Sequence, residues 1–250
     1  MTPMIHVGTM GWSYDFWRGS FYPKETKPPK FLGYYATQLD TVEVNSTFYR
    51  IPRPQTMEEW KNQTGSSFTF SLKFPSVITH IKMLEGCQEE TRVFLDRAEI
   101  LGNKLGPLLL QFPETFGTEQ LPHLQEFLKE LPKNHRYVVE IRDRLLLNEK
   151  LYSVLRQNNV VLAWVDSPFM PTIETVTSDF IYVRWEGDRK QVKGLMGKRE
   201  VDKSTALKSW AAKLKPFSRS NREVFGYFSK YYSGDPTTDA RDFLAYSADI

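Results

Sequence analysis

Eight short apolar segments recur along the chain, and longer amphipathic stretches separate them. The segments predict strands at residues 4–9, 40–45, 67–73, 107–112, 136–142, 160–166, 180–186 and 222–228. Helical spacing of apolar residues predicts helices that include residues 85–101, 119–131, 148–158 and 202–215. Strands that alternate with helices are typical of a parallel sheet covered by helices. Eight such units in 250 residues match the usual size of a TIM-like (β/α)8 barrel, so we predict an α/β barrel.

The composition fits one globular domain. The chain is 40% hydrophobic and 25% charged, which excludes disordered, collagen-like and coiled-coil classes. Proline and glycine are scattered without forming a linker, so we predict a single domain over residues 1–250. A doubly wound sheet is disfavoured because no G-x-G-x-x-G turn follows the first strand.

The single cysteine, Cys87, has no partner for an intramolecular disulfide, which fits a reducing compartment. No leader-like segment or run of about 18 apolar residues is present, so we predict a cytoplasmic protein that does not enter membranes. The net charge of +3 argues against a protein that coats nucleic acid with its whole surface.

Polar residues alternate with apolar ones along several predicted strands. In a barrel one face of each strand points inward, and chemistry occurs at the carboxyl ends of the strands. This parity places seven ionisable residues at the barrel mouth: Glu43, Lys73, Glu140, Arg142, Asp166, Arg184 and Glu186. Asn45 and Gln111 lie at neighbouring strand ends. Two interpretations stay open, because the charges could neutralise one another or form a site.

In the functional interpretation, Glu43 and Glu140 serve as general acid and base. Lys73, Arg142 and Arg184 stabilise an anionic or carbonyl oxygen. No dedicated cofactor or metal-binding motif is predicted, because the chain has four histidines and only His80 is expected near the mouth. A carboxylate site for Mg²⁺ at the mouth remains open.

Two further features flank the predicted mouth. The loop after the first strand is rich in aromatic residues, among them Trp12, Tyr14 and Trp17, which suit either a stacking platform or a hydrophobic cluster under a long loop. Residues 184–222 carry 12 Lys and Arg against 4 Asp and Glu. Barrels often bind phosphate in this region, although a solvated helix explains part of the excess. Its candidate phosphate contacts are Arg184, Arg189, Lys190, Lys193, Lys198 and Arg199.

Six motifs in order, GTMGWSYDFWRGSFYP, VEVNSTFYRIP, FTFSLKFPSVITH, LGPLLLQFP, VVEIRD and YVRWEGD, resemble those of the domain-of-unknown-function 72 family, also called YecE-like. The resemblance covers nearly the whole chain and implies a TIM-like barrel, without implying an activity. The matched positions are Trp12, Tyr14, Trp17, Tyr22, Pro23, Glu43, Asn45, Phe48, Tyr49, Lys73, Thr79, His80, Gln111, Pro113, Glu140, Arg142 and Arg184.

The chain departs from the family pattern near its end. Glu186 stands where the family commonly has a histidine, and Ser229 and Lys230 stand where it usually has two asparagines. These changes place any shared chemistry of the last two strands in doubt. The barrel proportions are also similar to those of endonuclease IV and sugar isomerases, which is an analogy of fold alone.

Two hypotheses of function follow. The first is a hydrolase or lyase acting on a phosphorylated or sugar-containing small molecule or a nucleic-acid fragment. In it Trp12, Tyr14, Trp17, Asn45, Tyr49, His80, Gln111, Asp166 and Glu186 contact the ligand. The second is a protein without turnover that binds nucleic acid or a phosphate-bearing ligand. The sequence leaves the oligomeric state open.

Overall fold

A computed structural model describes residues 5–248. Met4, where the first strand is predicted to begin, lies outside these residues. The strands are β1 (Ile5–Met10), β2 (Thr41–Val44), β3 (Thr69–Lys73), β4 (Leu105–Gln111), β5 (Tyr137–Glu140), β6 (Val161–Leu162), β7 (Trp164–Asp166), β8 (Ile181–Trp185) and β9 (Val224–Phe228). The helices are α1 (Phe31–Tyr35), α2 (Ser46–Tyr49), α3 (Pro54–Gln63), α4 (Gln88–Glu99), α5 (Leu121–Glu130), α6 (Glu149–Gln157), α7 (Ser204–Arg219), α8 (Lys230–Ser233) and α9 (Pro236–Ala248).

The strand order in the sheet is β6-β5-β4-β3-β2-β1-β9-β8-β7. The pairs β1–β2, β1–β9, β3–β4, β4–β5, β5–β6 and β8–β9 are parallel. This sequential order, with helices in most of the connections, is that of an α/β barrel and confirms the predicted fold class.

The predicted strand over residues 160–166 is wrong in one respect, because the structure divides it into β6 and β7. Thr177 bonds to the backbone of this segment. Leu162 N donates a hydrogen bond to Thr177 Oγ1 at 2.8 Å, and Thr177 Oγ1 donates one to Val160 O at 2.7 Å. A side chain from a loop therefore satisfies backbone groups that a neighbouring strand would otherwise bond.

The predicted helices are present with shifted ends. Residues 119–131 contain a 3-10 turn, Thr118–Gln120, followed by α5, and α7 begins at Ser204 rather than at residue 202. The Asp202 side chain stabilises the start of α7, because its Oδ1 accepts a hydrogen bond from Ser204 N at 2.8 Å. Among the described residues, no helix combines the length and the apolar character that crossing a membrane requires.

The chain forms two compact units, and the single-domain prediction stays a prediction. The first unit contains residues 5–43, 165–172 and 180–248, and the second contains residues 44–164 and 173–179. In the first unit the Trp185 ring stacks on Phe228 at 4.1 Å, and Phe243 of α9 packs against it at 5.0 Å. In the second unit Phe74 packs on Phe94 of α4 at 4.7 Å. Each unit thus buries aromatic side chains between its strands and its helices.

Candidate functional site

In the second unit, Lys73 is the last residue of β3, and its side chain is only 9% exposed. Its Nζ donates a hydrogen bond to Gln111 Oε1 at 2.6 Å and lies 4.0 Å from the centre of the Phe48 ring. A lysine ammonium held over an aromatic face is stabilised by the ring quadrupole. The buried cation is therefore fixed in position by an amide and by an aromatic ring.

Thr47 fixes the short helix α2 that carries Phe48. The Thr47 hydroxyl oxygen lies 2.8 Å from Val44 O and 2.6 Å from Lys73 O, so it ties α2 to the ends of β2 and β3. No motif in the sequence singled out Thr47. A threonine three residues after a strand end would have been the signal, since Ser and Thr hydroxyls commonly bond a backbone carbonyl three or four residues earlier.

Glu140, the last residue of β5, is 1% exposed. The register places it beside Gln111 of β4, so three neighbouring strands end in polar side chains. Arg142 Nε donates to Glu140 Oε1 at 3.0 Å, and the arginine side chain keeps 31% of its surface exposed. The pair thus joins a buried carboxylate to a cation that solvent can reach.

His80 lies in a single π-helical turn, Val77–Ile81, after β3. Its Nδ1 is 2.9 Å from Thr79 Oγ1, and its ring packs edge-on against Phe48 at 4.8 Å. Burial, together with the positive charges of Lys73 and Arg142, lowers the pKa of His80 to about 4. The imidazole is therefore neutral at physiological pH. We call Phe48, Lys73, His80, Gln111, Glu140 and Arg142 the Lys73 cluster.

In the first unit, Glu43 of β2 is fully buried and is held by β8. Arg184 donates to it through Nε and Nη2, both at 2.9 Å, and Tyr182 Oη donates to it at 2.8 Å. Arg184 Nη1 also donates to Glu186 at 2.6 Å. We call these four residues the Glu43 network. The bidentate contact of Arg184 with Glu43 is the geometry of a strong buried ion pair, in which these two charges offset each other.

Asp166, at the end of β7, has a structural partner in the first unit. Trp210 Nε1 donates to its Oδ2 at 2.8 Å. In the second unit, Asn45 is half-buried, and Tyr49 is 82% exposed.

The aromatic loop of the first unit is partly a hydrophobic cluster. Trp17 is fully buried, and its ring lies 4.7 Å from that of Tyr14 and 5.6 Å from that of Phe21. Tyr22 donates to Trp12 O at 2.5 Å, and Tyr14 donates to Met10 O at 2.7 Å. Trp12 and Tyr14 remain half-exposed, whereas Trp17 presents no surface for stacking in this conformation.

Two of the candidate phosphate contacts in residues 184–222 are engaged within the first unit. Arg184 belongs to the Glu43 network, and Arg199 pairs with Asp239 at 2.9 Å and with Asp242 at 2.7 Å. The other candidates, Arg189, Lys190, Lys193 and Lys198, are exposed.

Lys230, one of the departures from the family pattern, lies at the start of α8. Its Nζ is 5.7 Å from the ring centres of both Tyr14 and Phe16 and 5.0 Å from that of Tyr231. Three aromatic rings therefore surround this cation. Ser229 caps α8, because its Oγ accepts a hydrogen bond from Tyr231 N at 3.2 Å.

Over the part of the chain that the structure describes, no group of three or more His, Cys, Asp or Glu side chains is placed to hold a metal ion. The prediction of Mg²⁺ at the mouth stays a prediction.

The family model described as "Protein of unknown function DUF72" matches residues 6–249. The chain belongs to the DUF72 family. It is 36% identical over 139 residues to the UPF0759 protein YecE of Escherichia coli (strain K12), and the match covers 56% of this chain and 48% of that protein. The chain thus spans about half the length of that relative. It is 25% identical over 269 residues to the UPF0759 protein YunF of Bacillus subtilis (strain 168), with 96% and 94% covered.

Solved structures with the same fold include two DUF72 family proteins. The protein from Thermotoga maritima MSB8 has a TM-score of 0.76 at 23% identity, with 98% of each chain covered. The protein from Enterococcus faecalis V583 has a TM-score of 0.77 at 22% identity, with 98% and 96% covered. A methyltransferase from Methanosarcina mazei has a TM-score of 0.56 at 9% identity, with 100% and 94% covered. At these identities the likeness shows the fold alone.

Proposed function

We propose that the Lys73 cluster is the active site of a hydrolase or lyase whose substrate is an anionic small molecule, phosphorylated or sugar-containing. The observation that carries the proposal is the meeting of Lys73, Glu140, Arg142 and a neutral His80 near the ends of β3 and β5. Ionisable groups at the carboxyl ends of barrel strands are where this fold performs chemistry.

The cationic groups of the cluster suit an anionic substrate. Arg142 is partly exposed, so its guanidinium can contact a ligand while Nε holds Glu140. Lys73 adds a second positive charge, which Phe48 and Gln111 hold in place. Cations that are fixed before the substrate arrives stabilise developing negative charge without reorganisation.

Glu140 and His80 are the proton-transfer candidates. Glu140 is buried, and its hydrogen bond from Arg142 holds the carboxylate in position, which general acid–base catalysis requires. When His80 Nδ1 donates to Thr79 Oγ1, Nε2 keeps its lone pair and can accept a proton.

Glu43 is less suited to proton transfer, because Arg184 and Tyr182 occupy its two oxygens. We therefore assign Glu43 and Arg184 to maintaining the first unit and Glu140 to the chemistry.

The test is a turnover screen of sugar phosphates, other phosphate esters and sugar acids, followed by NMR of substrate loss, with and without added Mg²⁺. Glu140→Gln should lower turnover by about a hundredfold or more, the usual range for an acid–base group. Lys73→Met should lower it by about a hundredfold as well, the usual effect of removing a group that stabilises developing negative charge. Glu149→Gln, an exposed change on α6, serves as the matched control and should retain full activity. Wild-type turnover in folded Glu140→Gln protein would refute the assignment. Turnover that requires Mg²⁺ would support the metal prediction.

A second candidate function is polyanion binding without turnover. It is favoured by the exposed side chains of Arg189, Lys190, Lys193 and Lys198 in the first unit. Binding through these groups to nucleic acid would release counterions, so its affinity should fall steeply with salt. Nearly salt-independent binding of DNA and RNA would count against it, and so would unchanged binding after Lys190→Gln and Lys193→Gln.

A further inference from the structure

A cleft in the second unit is lined by residues of α2, of α3 and of the segment that connects them. Its volume is about 380 Å³, within the range of small-molecule sites. The lining residues are Ser46, Arg50, Ile51, Pro52, Arg53, Thr56 and Trp60. None of them belongs to the Lys73 cluster.

Four of the lining side chains are polar and have no polar partner among the described residues. Within residues 5–248, the side chains of Ser46, Arg50, Arg53 and Thr56 make neither a hydrogen bond nor an ion pair with another residue. Arg142, Arg184 and Arg199, in contrast, are each paired with a carboxylate. Two guanidiniums and two hydroxyls therefore border one cleft with their donors available.

The rest of the lining is apolar and includes an aromatic ring. Trp60 is half-buried, and its ring stacks on Phe70 of β3 at 6.1 Å with an interplanar angle of 19°. Ile51 and Pro52, which lie between Arg50 and Arg53 in the sequence, are half-buried. The cleft thus combines a cationic, hydrogen-bonding part with an apolar wall.

We propose that this cleft binds a phosphorylated small molecule that carries a ring. Arg50 and Arg53 hold the phosphate, the hydroxyls of Ser46 and Thr56 donate to its remaining oxygens, and the ring packs toward Trp60. Guanidinium groups match phosphate geometry and can bond two oxygens at once. Two guanidiniums carry two positive charges, so they match the charge of a doubly charged phosphate better than they match the charge of a single carboxylate. The volume suits one compact ligand of this kind.

The site goes beyond the proposed function, since its occupancy requires no turnover. The probe is adenosine 5′-monophosphate, titrated by calorimetry into the full chain, with inorganic phosphate as the ring-free comparison. The wild type should bind the nucleotide saturably. The Arg50→Gln/Arg53→Gln double variant should bind it about tenfold more weakly or worse, a loss of about 1.4 kcal/mol.

A matched control removes the same charge elsewhere in the second unit. Arg92→Gln/Arg156→Gln changes two exposed arginines, with side chains 61% and 45% exposed, and should leave the affinity unchanged. Trp60→Leu should weaken binding of the nucleotide while leaving that of inorganic phosphate unchanged. Side-chain NMR signals of Arg50 and Arg53 should shift when the nucleotide is added to the wild type.

Several results would overturn this site. One is the absence of saturable binding of either probe by the wild type. Another is equal nucleotide affinity in the wild type and the Arg50→Gln/Arg53→Gln variant. A third is loss of binding in Lys73→Met with the double variant unaffected, which would place the ligand at the Lys73 cluster. Equal nucleotide affinity in folded Trp60→Leu protein would reject the aromatic wall.

Discussion

Burial and the positive charges of Lys73 and Arg142 together account for the low pKa of His80, about 4 against an ordinary 6.5. The three side chains lie in one unit, and Phe48 touches both Lys73 and His80. The imidazole is therefore neutral at physiological pH, and its lowered pKa makes it a weaker base than an ordinary histidine.

Removal of the Lys73 charge should therefore raise the pKa of His80. In Lys73→Met we expect a rise toward 6.5 that stays incomplete, because burial and Arg142 remain. An NMR titration of the histidine ring signals measures it. His6 is the internal control, because Asp40 and Glu223 set its own pKa of about 9 in the first unit. An unchanged His80 pKa would show that the charge of Lys73 does not lower the pKa of His80, and it would refute this prediction.

Glu43 should contribute to stability more than an exposed glutamate does. Glu43→Gln leaves Arg184, which is 3% exposed, with a weakened partner, and losing one side of a buried ion pair costs about 3–5 kcal/mol. Glu149→Gln, in an exposed pair with Arg156, should change the free energy of unfolding by about 1 kcal/mol or less. Urea denaturation compares the two, and equal losses would refute a dominant role for the Glu43 network.

At the scale of the element, β1 depends on a glycine that allows close approach to β2. A Cβ added to Gly8 would lie 1.9 Å from Thr41 O and 2.9 Å from Tyr35 Oη. That hydroxyl donates to Thr41 O at 3.0 Å and accepts from Thr9 N at 2.9 Å, so the crowded region includes hydrogen bonds that support the strand.

Gly8→Ala should accordingly destabilise the protein by about 1–3 kcal/mol or more, as overpacked interiors do. Gly65→Ala is the matched control, because an added Cβ there meets nothing within 4 Å. Its effect should stay within about 0.5 kcal/mol. Thermal unfolding measures the stability of both variants. An unchanged stability of Gly8→Ala would mean that β1 can shift away from Thr41 without a loss of free energy.

The long periodic elements could be predicted from the sequence, and the short ones could not. The spacing of Leu207, Trp210, Ala211 and Leu214 identified α7, and all four are buried. The break between β6 and β7 has no local signal in the sequence, and neither has the hydrogen bond of Thr177, which lies fifteen residues from its partner Leu162. Strand parity located Lys73 and Glu140 at strand ends. It could not reveal that Thr47 positions Phe48 beneath Lys73, because that contact joins separate elements.

At the scale of the whole molecule, stability should depend on pH through His6 of β1. Burial opposes its charge, yet hydrogen bonds to Asp40 at 2.6 Å and to Glu223 at 3.2 Å raise its pKa to about 9. A histidine with a raised pKa in the folded state stabilises the fold most when it is protonated.

The contribution of His6 is thus fully present below pH 6.5 and is lost as the pH rises through about 9. The free energy of unfolding, measured by urea denaturation across that window, should fall in the wild type. His6→Gln should remove most of the decline. An identical pH profile in both proteins would show that other groups control alkaline stability.

The proposed function requires that the Lys73 cluster binds an anionic substrate. A crystal structure of protein purified without chelator and soaked with the best substrate of the turnover screen tests it most directly. We expect an anionic oxygen of the ligand within hydrogen-bond distance of Lys73 Nζ or the Arg142 guanidinium, with Glu140 or His80 facing the reacting atoms. A ligand bound elsewhere, with the cluster side chains closed on one another, would contradict it.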